Sequence, residues 1–303
     1  MPGLRRFPLP LIAAFFALYV IWGSTYLVIR IGIEYWPPLL LAGIRFVLAG
    51  SLMYGFLRWR GVPAPTWAQW KAAGMIGILL LSCGNGAVSV AEHTGVASGV
   101  AALAVATVPL FTLLCGYFWG ARNTRLEWAG IVLGLIGIGM LNLGSNLQAS
   151  PLGAGLLVFA AAAWAFGSVW SKHLPLPQGA MASAAEMLVG GVVLLIGSAL
   201  SGEQLESVPP LEGWLALAYL VGFGSIIAFN AYMYLLKHVR PAAATSYAYV
   251  NPAVAVLLGI VFVGETIGTE EALAMVVIIS AVVLIGLPQW RRPKVLQEKQ
   301  TAA

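Results

Sequence analysis

Long uncharged segments follow one another along the whole 303-residue chain, separated by short connections that contain proline and charged residues. Each segment has about 20 mostly apolar residues, the length that a helix needs to cross a hydrocarbon core about 30 Å thick. Apolar positions do not alternate with polar ones, which argues against membrane strands. The pattern predicts ten helical spans: Leu9–Ile33, Pro38–Leu57, Trp70–Ala91, Val96–Trp119, Arg125–Leu143, Leu152–Lys172, Gln178–Leu200, Glu212–Leu236, Pro241–Gly264 and Thr269–Leu287.

The composition supports a lipid bilayer as the surroundings of these helices. Hydrophobic residues make up 60% of the chain and charged residues 9%, against about 25% charged residues in a typical soluble domain. No stretch between the spans is long enough to fold as a soluble domain. The first span follows Arg5 and Arg6 but is too long for a secretory signal, so we expect it to be retained. The sequence predicts an all-α, polytopic membrane protein.

The basic residues indicate how the chain is oriented. With the N-terminus in the cytoplasm, 14 of the 16 Lys and Arg residues fall on the inner side, and the outer connections carry mainly Glu. Cytoplasmic loops of membrane proteins carry such an excess of Lys and Arg. We expect an inner-membrane location with both termini in the cytoplasm.

The two halves of the chain repeat each other. A shift of 143 positions places Pro109 on Pro252, and a shift of 142 places Trp22 on Trp164. Because each half has an odd number of spans, the second half has the opposite orientation in the membrane. Accordingly, Arg122 on the inner side has Glu265 on the outer side as its counterpart at the shift of 143. We predict two inverted five-helix repeats, 9–143 and 152–287, and a cytoplasmic tail, 288–303.

Two ionisable residues lie deep inside predicted spans. Arg45 and Glu186 are each about 12 Å from the nearer end of their helix and occupy nearly equivalent positions of the repeat. A charge at such depth is costly, so it normally faces protein or water. They are either a structural pair between two helices or contacts to a zwitterionic substrate.

Aromatic, amide and proline residues recur in the middle of the spans. Mid-span tryptophan is unusual because most membrane tryptophans mark the interface, and Pro109 and Pro252 each free a backbone carbonyl. The same polar residues could instead form hydrogen bonds between helices. The candidate substrate-binding residues are Trp22, Asn85, Trp164, Asn230, Tyr234, Tyr247 and Asn251.

Other kinds of chemistry receive little support. Glu92 and His93 end the third span and are either a proton-coupling pair or a solvated helix end. No His, Cys or Glu cluster has metal-ligand spacing, and no nucleotide-binding loop is present, so no metal or cofactor is expected. Scattered basic residues argue against nucleic acid as a partner. Gly130 and Gly134 permit close helix packing within the chain or in a homodimer, so a monomer and a homodimer both stay open.

Several motifs, in their order and spacing, resemble the drug/metabolite transporter superfamily, EamA type. They are W-G-S-T-Y from Trp22, V-A-T-V-P-L-F from Val105, L-E-W-A-G-I from Leu126, W-A-F-G-S-V from Trp164 and Y-V-N-P from Tyr249. The resemblance implies two five-helix bundles around a cavity lined by spans one, three, four, six, eight and nine. Arg45 and Glu186 lie on other spans, which weakens a direct contact with substrate. The usual Glu after the fourth span is Arg122 here.

The combined pattern favours a secondary transporter that exports a small metabolite, an amino acid or a drug-like amine, by alternating access. An uncoupled facilitator or exchanger is the nearest alternative, and the absence of an acidic residue in the middle of a lining span leaves proton coupling in doubt. An intramembrane enzyme would require converging carboxylates or histidines, and a purely structural subunit would not require polar residues at both repeat centres.

Overall fold

A computed structural model describes residues 8–93, 104–141, 151–254 and 269–290. All regular structure in these ranges is helical. The α-helices are α1 (Leu9–Ile33), α2 (Pro38–Trp59), α3 (Trp67–Gly77), α4 (Ala87–His93), α5 (Val108–Phe118), α6 (Arg125–Leu141), α7 (Pro151–Trp170), α8 (Ala180–Leu200), α9 (Leu211–Tyr219), α10 (Asn230–His238), α11 (Pro241–Ala244), α12 (247–254) and α13 (Thr269–Trp290).

Six helical runs in the described ranges are long and apolar enough to cross a membrane, in agreement with a polytopic membrane protein. They are Leu9–Ile33, Pro38–Trp59, Trp67–Ala91, Pro151–His173, Ala180–Leu200 and Leu211–His238. Parts of the predicted fourth and ninth spans, 96–103 and 255–264, lie outside the described residues. The number of ten spans therefore stays a prediction.

The third span begins earlier than its apolar pattern indicates. It starts at Trp67 rather than Trp70, because Thr66 is its N-cap. The Thr66 hydroxyl accepts from the backbone N–H of Gln69 at 3.3 Å, and the Gln69 side chain accepts from the backbone N–H of Thr66 at 2.9 Å. This reciprocal capping box satisfies two N–H groups that would otherwise lack partners at the helix start.

A π-helix interrupts the third span of each half. The first covers Ile78–Gly86, between α3 and α4, and the second covers Leu220–Phe229, between α9 and α10. Their first residues are 142 positions apart, the same shift that relates Trp22 to Trp164. Wide turns of this kind are rare and often lie at functional sites. Here they occur twice, at equivalent places of the repeat.

The first span of each half packs against the third span of the other half. Helix α1 contacts α9, the second π-helix and α10, while α7 contacts the first π-helix and α4. Each half is therefore stabilised by burying apolar surface against its counterpart rather than only against itself.

Equivalent helices of the two halves, α2 and α8, form a close antiparallel contact. A Cβ at Gly43 would lie 2.6 Å from the Leu195 side chain, and one at Gly50 would lie 2.9 Å from Leu188. Residue numbers rise along α2 as they fall along α8, so the helices run in opposite directions. An inverted repeat places its equivalent helices in this relation.

The last helices of the two halves, α6 and α13, form a second contact of the same kind. A Cβ at Gly130 would lie 2.6 Å from Ile285, and one at Gly137 would lie 2.8 Å from Ile278. Gly134 faces the Tyr249 ring at a similar distance. Gly130 and Gly134 thus allow close approach between helices of the same chain.

A carboxylate from the second half caps a helix of the first half. Prolines at 37 and 38 lack N–H groups, so the first free backbone donors of α2 are those of Leu39 and Leu40. Both donate to Glu203, at 3.1 and 2.9 Å, and the Ser198 hydroxyl donates to the same carboxylate at 2.7 Å. A negative charge at a helix N-terminus is favourable because it opposes the positive end of the helix dipole.

We expect Gly77→Ala to destabilise the protein by about 1–3 kcal/mol, the usual cost of overpacking a core. A Cβ at position 77 would lie 2.2 Å from the backbone oxygen of Glu186, where α3 crosses α8. Thermal unfolding in detergent measures the effect. Gly55→Ala on α2 is the matched control, because nothing lies within 4 Å of its Cβ position. Equal melting temperatures for the two variants would contradict the close crossing.

Candidate functional site

Four aromatic rings meet where the first half of the chain contacts the second. Trp22 of α1 lies 5.7 Å from Trp164 of α7, 5.3 Å from Tyr232 of α10 and 4.8 Å from Tyr247 of α12, measured between ring centroids. Tyr232 lies 5.6 Å from both Trp164 and Tyr247. We call these four residues the aromatic cluster.

Hydrogen bonds fix the rings of the cluster. The Trp22 indole N–H donates to the carbonyl of Gly224 in the second π-helix at 3.0 Å. The Trp164 indole N–H donates to the Tyr232 hydroxyl at 3.0 Å. The Ser168 hydroxyl donates to the carbonyl of Trp164, so the Tyr232 hydroxyl donates in turn to Ser168. Both indole donors are satisfied, as buried polar groups require.

The two tryptophans make crossed contacts with the two π-helices. Trp22, from the first half, bonds to Gly224 in the second half. Trp164, from the second half, packs on Gly84 in the first half, where a Cβ would lie 2.7 Å from the indole ring. Glycine is needed at position 84 because the backbone approaches a large ring so closely.

The three predicted amide residues have different surroundings. The Asn230 amide donates to the carbonyl of Ile226 at 2.6 Å and to the sulfur of Met53 at 3.1 Å. Asn85 is half-buried in the first π-helix. Asn251 is 1% exposed, and its buried side-chain oxygen has no hydrogen-bond partner among the described residues.

Other predicted residues are placed away from the aromatic rings or define helix geometry. Tyr234 stacks on His238 with 4.0 Å between ring centroids, at the end of α10, and so does not join the cluster. Pro109 is buried at the start of α5, and Pro252 is half-buried in α12. Helix α4 ends at His93, but the side chains of Glu92 and His93 lie outside the described residues.

Arg45 and Glu186 are both buried, at 7% and 0% exposure, but the structure does not join them in an ion pair. Gly50 lies against the turn of α8 that holds Glu186 and is five residues beyond Arg45, so the backbone positions of Arg45 and Glu186 are offset by about 8 Å along the helices. The Arg45 guanidinium carbon lies 4.2 Å from the Phe46 ring centroid, and both Glu186 oxygens lack hydrogen-bond partners within the part of the chain that the structure describes.

Sequence reasoning missed Tyr232, which contacts three other members of the cluster. It also missed the hydrogen bond between the hydroxyls of Tyr19 and Ser246, 2.6 Å long, which lies one helical turn from Trp22 and one residue from Tyr247. The recurrence of tyrosine at 232, 234, 247 and 249 was an available signal, but it does not by itself indicate which rings face inward.

Comparison with known proteins identifies the family of the chain. The model of the EamA-like transporter family matches residues 9–143 and again residues 151–287. The chain belongs to the EamA-like transporter family. It is therefore a multi-pass membrane transporter built from two copies of the family's repeat, and the resemblance seen in the sequence is confirmed.

Relatives of the chain support this membership. The inner membrane transporter YedA of Escherichia coli (strain K12) is 56% identical over 285 residues, covering 94% of this chain and 93% of that protein. A Salmonella typhimurium protein named "Probable amino-acid metabolite efflux pump" is 29% identical over 281 residues, covering 88% and 91%. A solved crystal structure at 22% identity has the same fold, with a TM-score of 0.76 over 93% of this chain and 99% of the other.

We expect Tyr232→Phe to destabilise this EamA-like transporter by about 1–3 kcal/mol, because the Trp164 N–H loses its acceptor inside the core. Chemical unfolding in detergent, followed by tryptophan fluorescence, measures the change. Tyr117→Phe removes the same hydroxyl from a side chain that is 76% exposed and serves as the control. A Tyr232→Phe protein as stable as the control would show that the buried hydroxyl network contributes little.

Proposed function

We propose that the chain exports a small metabolite, an amino acid or a drug-like amine, by alternating access, with the aromatic cluster as its central substrate site. The observation that carries this proposal is the meeting of two repeat-equivalent tryptophans, Trp22 and Trp164, between the two halves. A site shared by both repeats changes its exposure when one half rocks against the other.

The chemistry of the cluster suits such a substrate. Aromatic faces attract ammonium groups by cation–π interaction, worth about 0.5–2 kcal/mol for each well-placed ring. The buried oxygen of Asn251 without a partner is a further acceptor near the same membrane depth. In this structure the rings contact one another, so the substrate replaces ring–ring contacts as it binds. The name of the Salmonella typhimurium relative is consistent with an amino-acid metabolite as substrate.

Within this proposal the chain has ten spans in two inverted repeats and lies in the inner membrane with both termini in the cytoplasm. The distribution of Lys and Arg supports the orientation. The antiparallel contacts of α2 with α8 and of α6 with α13 support the inversion. The chain acts on small molecules within the lipid bilayer, as a monomer or a homodimer.

An ion pair joins the two halves at the end of the molecule that we assign to the cytoplasm. Arg240, before α11, binds both carboxylate oxygens of Glu127 in the first turn of α6. Arg240 also donates to the carbonyl of Arg122 at 2.9 Å. The Glu127 side chain is fully buried and caps α6 by accepting from the Thr124 N–H at 2.7 Å. Bidentate geometry makes this a strong pair.

The Glu127–Arg240 pair holds the cytoplasmic ends of the two halves together. Lys172, in the turn after α7, donates to the carbonyl of Val239 at 2.9 Å and anchors the same connection. Alternating access requires that these ends separate when the site opens to the cytoplasm. The pair therefore acts as a latch for the state that is closed on this side.

An uncoupled facilitator or exchanger uses the same site and latch without a driving ion, and it is the nearest alternative. An intramembrane enzyme is disfavoured, because the matched relatives are named transporters. The buried carboxylates of Glu127 and Glu186 also serve different helix contacts: Glu127 is bound to Arg240, and Glu186 lies where α3 crosses α8.

We expect Glu127→Gln and Arg240→Gln each to expose the cytoplasmic end, since removing one partner of a buried pair costs about 3–5 kcal/mol. Glutamine at 127 can still cap α6. The measurement is labelling of Ala243→Cys by an impermeant maleimide from the cytoplasmic side, after replacement of Cys83 and Cys115. Labelling should rise in each variant, and the exchange Glu127→Arg with Arg240→Glu should partly reverse it. Unchanged labelling in both single variants would rule out the latch.

Counterflow in proteoliposomes tests the proposed function. A panel of amino acids and amines is presented with and without a pH gradient, which also separates a coupled transporter from a facilitator. Trp22→Ala and Trp164→Ala should each lower flux about tenfold, the effect of losing about 1.4 kcal/mol of binding. Trp67→Ala, at a ring 74% exposed, should leave flux unchanged. Absence of flux for every compound in the unmodified protein would overturn the proposal.

A further inference from the structure

An apolar groove of about 340 Å³ lies beside the aromatic cluster and is separate from it. One wall is the first part of α1, with Phe15 and Phe16, and the other is the end of α13, with Val282 and Val283. The stretch around Val239 and Ala243 closes its base. Ligand sites for drug-sized molecules begin at about this volume.

The groove opens toward the hydrocarbon. Phe16 and Val283 on its rim are 67% and 42% exposed, and both belong to helices of the membrane domain. Phe16 is seven residues from the start of α1, about 10 Å along the helix, and Trp22 is about 20 Å along it. With the proposed orientation, the groove therefore opens in the inner leaflet, and the cluster lies deeper in the membrane.

The hydrogen bond between Tyr19 and Ser246 lies where the groove lining leads, along both chain segments, to members of the cluster. The Ser246 hydroxyl donates to the carbonyl of Ala243 at 2.7 Å, so the Tyr19 hydroxyl donates to Ser246 across the inner end of the groove. Trp22 follows Tyr19 by one helical turn, and Tyr247 follows Ser246 directly. These two residues contact each other in the cluster at 4.8 Å.

We propose that this groove is a lateral entrance, through which amines with an apolar body pass in their neutral form from the inner leaflet to the aromatic cluster. The proposal rests on the proposed transport function and extends it by naming a substrate class and a route. Such a molecule breaks the Tyr19–Ser246 hydrogen bond when it passes from the groove to the cluster.

The lining of the groove explains this choice of substrate. Among the described residues, the polar side chains that line it are those of Tyr19 and Ser246, and their hydroxyls already bond to each other. An apolar passage cannot compensate both charges of a zwitterion, whose burial without partners is costly. An amine with an apolar body instead gains by burying that body. Zwitterionic amino acids are expected to reach the cluster from water, between the two halves.

Photolabelling of the purified full-length protein in nanodiscs tests the entrance. The probe is an octylamine that carries a diazirine, and labelled residues are mapped by mass spectrometry. We expect label on the groove residues 12–19 and 282–286 and, more weakly, on Trp22 and Tyr247. Val283→Trp should abolish the label in the groove and the label on Trp22 and Tyr247, because the tryptophan ring fills the rim of the groove. Val276→Trp is the matched control, being the same substitution on the same helix at a side chain 60% exposed.

A second variant tests the role of the Tyr19–Ser246 hydrogen bond. Tyr19→Phe keeps the ring but removes the hydrogen bond, so label on Trp22 and Tyr247 should rise relative to label in the groove. Loss of groove label in Val283→Trp with unchanged label on Trp22 and Tyr247 would show that amines reach the cluster by another route, and would overturn the proposal. So would the absence of groove label in the unmodified protein.

Two further measurements distinguish an amine entrance from a lipid site and from a failure of transport itself. If a phosphatidylglycerol with a diazirine in its acyl chain labels the groove and displaces the amine, the groove is a lipid site and the proposal is wrong. Counterflow of a zwitterionic amino acid through the Val283→Trp protein should equal that of the unmodified protein. Flux without groove label would overturn the entrance alone, whereas no flux of any amino acid or amine of the counterflow panel in either protein would overturn the proposed function.

Discussion

The hydrogen bond from the Trp22 indole to the Gly224 carbonyl joins the first span of one half to the third span of the other. A membrane interior offers no water to replace such a bond, so the donor and the acceptor must find each other within the protein. Trp164 makes the equivalent crossed contact on Gly84, by packing rather than by hydrogen bonding. The centre of the molecule therefore depends on both halves being present and correctly placed.

The repeat and the membrane class could be predicted because both follow from simple patterns. Uninterrupted apolar runs indicated the helices, and the shift of 142 singled out Trp22 and Trp164 as a pair. The structure places these two tryptophans in contact between the halves. The early start of α3 was harder to foresee, since it depends on the Thr66 cap rather than on hydropathy.

The orientation of side chains around each helix could not be predicted in the same way. In a membrane both faces of a helix are apolar, so hydrophobicity does not distinguish an inward face from a lipid-facing one. Asn230 and Tyr234 are four residues apart and so lie on one face of α10, whereas Tyr232, between them, reaches the cluster. The partner of Glu127 was equally hidden, because Arg240 is 113 residues away along the chain.

The paired π-helices affect how the third spans can move. A π-helix holds more residues in each turn than an α-helix does, and returning to α geometry displaces the backbone by one residue. One residue of displacement corresponds to a rotation of about 100° about the helix axis. Asn85 lies within the first wide turn, and Asn230 directly follows the second. A local change in backbone hydrogen bonding would thus swing each amide around its helix.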